Sequence, residues 1–146
     1  MRSAVAAATA ALLAAVFVAP SVLAQDNVIK RRQQAMKLMG EQADVGAAVM
    51  KGQAAFDAAK AATMFQTFKE QIVGYAALFP PGSDKGDTKA LAAVWSDRKG
   101  FEAAIASFEK VVAENAAAGV TADGFKAAFT AVGGECRSCH QNFKAR

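Results

Sequence analysis

Histidine occurs once in these 146 residues, tryptophan and tyrosine once each, cysteine twice and proline three times. Each scarcity excludes something. Structural zinc wants four Cys or His ligands, and this chain offers three. Strand formers are thin: β-branched residues are few, alanine is abundant, and nothing reads as a strand. After the first two dozen residues there is no second long apolar run, so the remainder holds no candidate membrane span. Internal repeats and low-complexity linkers are lacking as well. The formal charge of +4 is too small to make a case for nucleic acid. It permits docking to an acidic partner without demanding it.

The scarce residues are gathered in one place. Both cysteines and the histidine fall in Cys136-Arg137-Ser138-Cys139-His140. Cys-x-x-Cys-His is the attachment signature of a c-type haem. Residues three apart on a helix lie nearly one above the other, so Cys136 and Cys139 can bond the two vinyl groups on one edge of a porphyrin. His140 follows at once and is rotated toward the metal, where its ring nitrogen can serve as the proximal ligand. Three plainer readings compete. One is a Cys136–Cys139 disulfide of the thioredoxin type, which usually sits in a βαβ setting. Another is zinc completed by a carboxylate or a second chain. The third is coincidence in a core helix.

Residues 1–24 read as a secretory signal. Arg2 is the charged start, Ala4 to Val18 is an unbroken apolar run, Pro20 breaks it, and Val22-Leu23-Ala24 supplies small residues for cleavage before Gln25. The run is short for a span of about 20 residues, and an uncleaved anchor is the alternative. Export fits the motif, because bacterial haem attachment takes place outside the cytoplasmic membrane, and the periplasm is the expected compartment. Residues 25–146 then form one domain. Losing Arg2 leaves a charge of about +3, and two propionates would bring that to about +1.

Four helices are expected in the mature part, and all-α architecture with them. The first runs over 27–50, with Val28, Arg32, Ala35, Met36 and Met39 at helical spacing; Gly40 and Gly46 weaken it or permit close helix contact. Lys51-Gly52-Gln53 reads as a turn. The second covers 55–78 and carries Met64, Phe68, Ile72, Tyr75 and Phe79 on one face, stopped by Pro80-Pro81-Gly82. The third starts near Thr88 or at Ser96-Asp97 and shows Phe101, Ile105, Phe108 and Val112, with Gly119 as its C-cap. The fourth, capped by Thr121 or Asp123, runs to about Lys144, and its stripe of Phe125, Phe129, Val132, Cys136, Cys139 and Phe143 puts the motif cysteines on the core-facing seam. Gly133-Gly134 leaves room for a flat ring against the backbone. Short joins imply an antiparallel up-down-up-down bundle, which can bury a cofactor between facing helices. Most stripe residues are core rather than cofactor contacts.

The ordered set of features resembles the cytochrome c' family. A signal peptide, four helices and a C-terminal CxxCH are joined by Arg32-Gln33 with Met36-Lys37, Lys51-Gly52 with Phe56-Asp57, Phe79-Pro80 and Gly82, Gly86-Asp87, and Trp95 with Asp97 and Phe101. The resemblance spans nearly all of the mature chain. It implies one haem c held through Cys136 and Cys139, with His140 as proximal ligand. It places Arg32 and Gln33 near the haem, with Arg32 available to a propionate. Asp87 falls at the haem periphery, and Lys144 places a cation near the proximal face. It also implies a homodimer, commonly formed through the first two helices.

Met36 occupies the position that divides the family. In one branch a methionine from helix one ligates iron, giving a six-coordinate electron carrier whose potential the thioether raises. In the other, an apolar residue blocks the distal face of a five-coordinate iron that binds NO or CO. Met36 suits either role, since methionine also fills irregular gaps. Met39 could compete but sits where core is expected. Single-electron transfer to periplasmic redox partners is the leading expectation and gas binding the alternative. Enzymatic activity is not expected. Peroxidase-like chemistry wants a distal His or Arg acid/base, the one histidine is committed, and Arg32 is assigned to the propionate edge.

Overall fold

The computed structural model describes residues 22–146, so most of the expected export signal, residues 1–21, lies outside the described residues. Five α-helices follow one another: α1 Val22–Met50, α2 Ala58–Ile72, α3 Ala93–Ser96, α4 Arg98–Gly119 and α5 Ala122–Phe143. Among the described residues no strand forms. The nearest thing to one is a bridge between Ala90 and Lys144.

Local chemistry sets the ends. α1 begins at Val22 rather than Asn27 and closes where Gly52 takes φ +68. The amides of Gly52 and Gln53 then return to the carbonyls of Val49 and Ala48 at 3.0 and 2.9 Å, satisfying groups a helix end would leave open. Asp57 caps α2 by accepting from the amides of Ala59 and Lys60, and Asp97 caps α4 by accepting from Gly100. Of the two caps offered for the last helix, Thr121 is the one used.

Two expectations need correction. The second helix does not run unbroken to 78: it stops at Ile72, Gly74 turns through φ +69, and Tyr75–Leu78 continues as a 3-10 turn. A left-handed residue costs glycine little, and it re-aims everything after it. Gly119 is not a left-handed C-cap. It ends α4 without positive φ, and a Cβ there would collide with the buried ring of Phe65. Lack of a side chain, not backbone freedom, is what the position uses.

The core is built as the stripes require. Met64 and Phe68 of α2, Val112 of α4 and Val132 of α5 are almost wholly buried, as is Val94 of the short α3. Phe68 meets Phe108 edge to face at 6.2 Å, a favoured aromatic geometry. Cys136 and Cys139 pack half-buried against this core, as their places on the seam predicted. α1 packs on α2, α2 on α4 and α4 on α5.

α1 and α5 make few contacts with each other. They converge at one end, where Gly46 lies against Phe129 so closely that a Cβ would overlap the ring, and Phe129 is itself stacked on Phe125 at 5.6 Å. Toward the other end they separate. Gly46→Val is expected to lose about 1–3 kcal/mol of stability through overpacking, read as a lower denaturation midpoint. An unchanged midpoint would mean that the ring swings aside freely.

Candidate cofactor site

Where α1 and α5 separate, a cavity of about 450 Å³ opens, within the usual range for ligand sites. α1 contributes Arg32, Gln33 and Met36, and α5 contributes Cys139, His140 and Lys144. Tyr75 and Phe79 enter from the 3-10 turn and its end, and Asp87 from the loop that follows. The wall is predominantly apolar, with Ile29, Val94, Phe101 and Phe143 completing it. Met39 is buried in the core instead and does not line the cavity. Neither Gly133 nor Gly134 is part of the wall, although the space at their Cβ positions is open except for Arg137 at 3.8 Å from Gly133.

Arg32 is the most constrained of these side chains. It is 4 % exposed. Nε donates to the Leu78 carbonyl at 2.7 Å and Nη1 to the Ser83 carbonyl at 2.9 Å. Nη2 donates to the Ser83 hydroxyl, which in turn donates to the Pro80 carbonyl. The guanidinium also lies over the Phe79 ring, 4.1 Å from its centroid. Burial lowers its pKa, yet a guanidinium keeps its charge. Among the described residues no carboxylate pairs with it. The cavity thus has a buried cation on its wall whose charge is met by dipoles and by the ring faces of Phe79 and Trp95.

The same loop is fastened from the far side. Trp95 Nε1 donates to the Pro80 carbonyl at 3.0 Å, and Arg98 donates to the carbonyls of Ala76 and Phe79. Ser83 and Arg98 carried no sequence signal for this role, because their partners are backbone carbonyls that any residue could supply. Gln33 and Asp87, far apart in sequence, meet at the rim: Gln33 Nε2 donates to the Asp87 carbonyl at 2.8 Å.

The motif side chains sit in apolar surroundings that set their protonation. Burial pushes both cysteine thiols up, so at neutral pH they are thiols, and both are free. Burial, with Lys144 adding to it, lowers the His140 pKa, which favours the neutral, metal-ligating imidazole. Among the described residues no three His, Cys, Asp or Glu side chains cluster as a metal site.

Tyr75 is the residue that pattern reading assigned to core alone. It is 7 % exposed and its ring packs on Phe79 at 5.3 Å. Tyr75 is one of the residues that line the cavity. Desolvation raises its pKa, opposed by Arg32 and reinforced by Cys139, so the phenol remains neutral. The 3-10 turn after Gly74 carries Tyr75 to the cavity wall.

An apolar cleft with a cation that no carboxylate pairs suits an amphipathic, anionic group. Imidazole and thiol come to it from α5 and a thioether from α1. The class is that of helical bundles that seat a porphyrin between helices, of which cytochrome c' is itself a standing example. The comparisons are specific. Residues 27–144 match the family described as Cytochrome C'. Cytochrome c' of Rubrivivax gelatinosus is 39% identical over 123 residues, covering 82% of this chain and 95% of that protein. Its crystal structure superposes with a TM-score of 0.76 at 37% identity, over 83% of this chain and 97% of that one. Cytochrome c' from Alcaligenes xylosoxidans, solved as a nitric oxide complex of a variant, gives a TM-score of 0.74 at 30% identity, covering 84% and 96%. The chain belongs to the cytochrome c' family, and it is a haem protein of that family.

Proposed function

We propose that the protein carries a single haem c, bound through thioethers to Cys136 and Cys139 with His140 on the iron, and that it transfers single electrons between periplasmic partners. The observation that carries this reading is that Met36, from α1, and His140, from α5, both line one cavity. Methionine with histidine is the axial pair of many electron-transfer haems, and it raises the potential. Fixed ligands on both sides let iron change oxidation state with little rearrangement. Arg32, and Gln33 with Asp87 at the rim, would hold the carboxylate edge. Arg32 has N–H groups left over after its three loop bonds, since a guanidinium carries five.

A carrier rather than an enzyme is proposed, because the only imidazole is assigned to iron and Arg32 is fastened to the loop. Periplasmic location rests on the leader-like residues 1–24; no helix among the described residues is long and apolar enough to cross a membrane. A homodimer is proposed from the family, with Val45 and Met50 of α1 among the exposed large apolar residues.

One observation favours a second reading, reversible binding of NO or CO: the Alcaligenes relative is a nitric oxide complex, and Met36 lies in a cavity with space beside it. The deciding experiment is the absorption spectrum of the dithionite-reduced protein before and after CO. Electron transfer predicts a sharp low-spin spectrum indifferent to CO, which Met36→Ala converts to high-spin. A native high-spin spectrum that shifts with CO, unchanged by Met36→Ala, would replace electron transfer with gas binding.

A further inference from the structure

α1 and α5 carry the two side chains proposed for the iron, Met36 and His140, yet the helices separate around the cavity that both residues line. One short segment is tied to both helices. Residues 86–91 continue the loop that Arg32 fastens, and Asp87, Thr88, Lys89 and Ala90 line the cavity. At its start the segment is held to α1. Gln33 Nε2 donates to the Asp87 carbonyl at 2.8 Å. Gly86, at φ +96, lies so close to the same helix that a Cβ would stand 3.3 Å from the Ile29 Cδ1 methyl. At its other end the segment is held to the end of α5. The Leu91 amide donates to the Phe143 carbonyl at 3.0 Å, and the Ala145 amide donates to the Lys89 carbonyl at 2.8 Å. These two bonds flank the bridge between Ala90 and Lys144. Inside the segment the Ala90 amide donates to the Thr88 hydroxyl at 3.2 Å. Thr88 alone stands between the residue fastened to α1 and the first one fastened beyond α5. Two residue steps reach at most about 7 Å, so the tie has little slack.

We propose that residues 86–91 are a strap that sets the gap between α1 and α5 at the haem, with Gln33 and the Ala145 amide as positioning groups at its two ends. The helices make few contacts with each other, so on this side their spacing falls to what joins them. Gln33 stands three residues before Met36, and Phe143 three after His140. The two fastenings therefore act close to both candidate ligands. Links in series hold only while every link is closed, so opening either end frees both helices. A wider gap takes Met36 away from a ring anchored on α5 and admits bulkier ligands on the α1 side. The inference rests on the haem assignment and holds whichever of electron transfer and gas binding is the native role.

Four forms of the haem-loaded protein test it: native, Gln33→Leu, Ala145→Pro, which removes the N–H, and the double variant. Ala145→Ser keeps the N–H and serves as control. The first readout is hydrogen exchange. Gln33→Leu should speed exchange of the Leu91 and Ala145 amides, at the opposite end of the strap, about fivefold, the worth of one hydrogen bond. The second is the affinity of the ferric protein for imidazole, which needs room on the α1 side whether or not Met36 must first leave the iron. Each single variant should bind imidazole about fivefold more tightly, and Ala145→Ser should match native. The double variant should exceed neither single by more than about twofold, because a strap is released once. Effects that multiply in the double variant would make the two fastenings independent and overturn the proposal. Unchanged exchange at the far end, or unchanged imidazole affinity in both singles, would overturn it too, and each of these results leaves the haem assignment standing. Absence of covalent haem from the native protein would remove the haem assignment and this inference together.

Discussion

Arg32→Ala is expected to lower the free energy of unfolding by about 3–5 kcal/mol, measured by denaturant titration of the haem-loaded protein. The side chain joins α1 to the loop after the 3-10 turn through three hydrogen bonds, to the Leu78 carbonyl, the Ser83 carbonyl and the Ser83 hydroxyl. Bonds to a charged group are worth more than neutral ones, and the two carbonyls would lose a partner in a largely buried place. The contact of the guanidinium with the Phe79 ring goes too. Arg32→Lys separates geometry from charge. Lysine keeps the cation but has no planar fork, so it can serve fewer of the three acceptors and should fall between native and alanine. Because the loop also carries Asp87 to the rim, both variants should leave the haem more open to solvent, seen as a shifted absorption maximum. A loss under 1 kcal/mol for alanine would show that Trp95 and Arg98 hold the loop without Arg32.

The second large effect concerns the motif itself. His140→Ala is expected to abolish the proximal bond, and with it stable maturation of the haem-loaded protein. Replacing both Cys136 and Cys139 with alanine should make any haem extractable by acidified acetone, because nothing covalent remains. Cys136→Ala alone should leave at most one thioether, detectable as a shift in the pyridine haemochrome band. Cys139 lines the cavity, and Cys136 stands three residues before it, just outside the lining. The cysteines stand on consecutive turns of α5, half-buried against the core, and neither is bonded to the other. A normal holoprotein spectrum from His140→Ala would refute the proximal role. Full retention of haem by the double cysteine variant would refute thioether attachment.

These two predictions draw on different kinds of information. The motif was legible in the chain, because attachment chemistry fixes residue types at fixed spacing. Helix identities were legible for a similar reason: apolar residues recur at three and four, and caps such as Asp57, Asp97 and Thr121 satisfy open amides within a few residues. Family resemblance put Gln33 and Asp87 each near the haem, but their contact was not legible, since nothing in 54 residues of separation marks two side chains as neighbours.

The sequence by itself determined an all-helical bundle, the buried stripe of each long helix, the position of the CxxCH motif and the candidacy of Met36. Tertiary structure alone decided what the stripes faced. Periodicity shows that Arg32 and Tyr75 point inward, but inward is toward core or toward cavity depending on where neighbouring helices diverge. Gly46 against Phe129 brings α1 and α5 together at one end, and their separation at the other makes the cavity. The 3-10 turn after Gly74 carries Tyr75 to the cavity wall. Backbone carbonyls of the loop, which carry no sequence identity, fasten Arg32. Helical spacing records local geometry, whereas a cavity is a gap between elements, and a gap has no residues of its own to read.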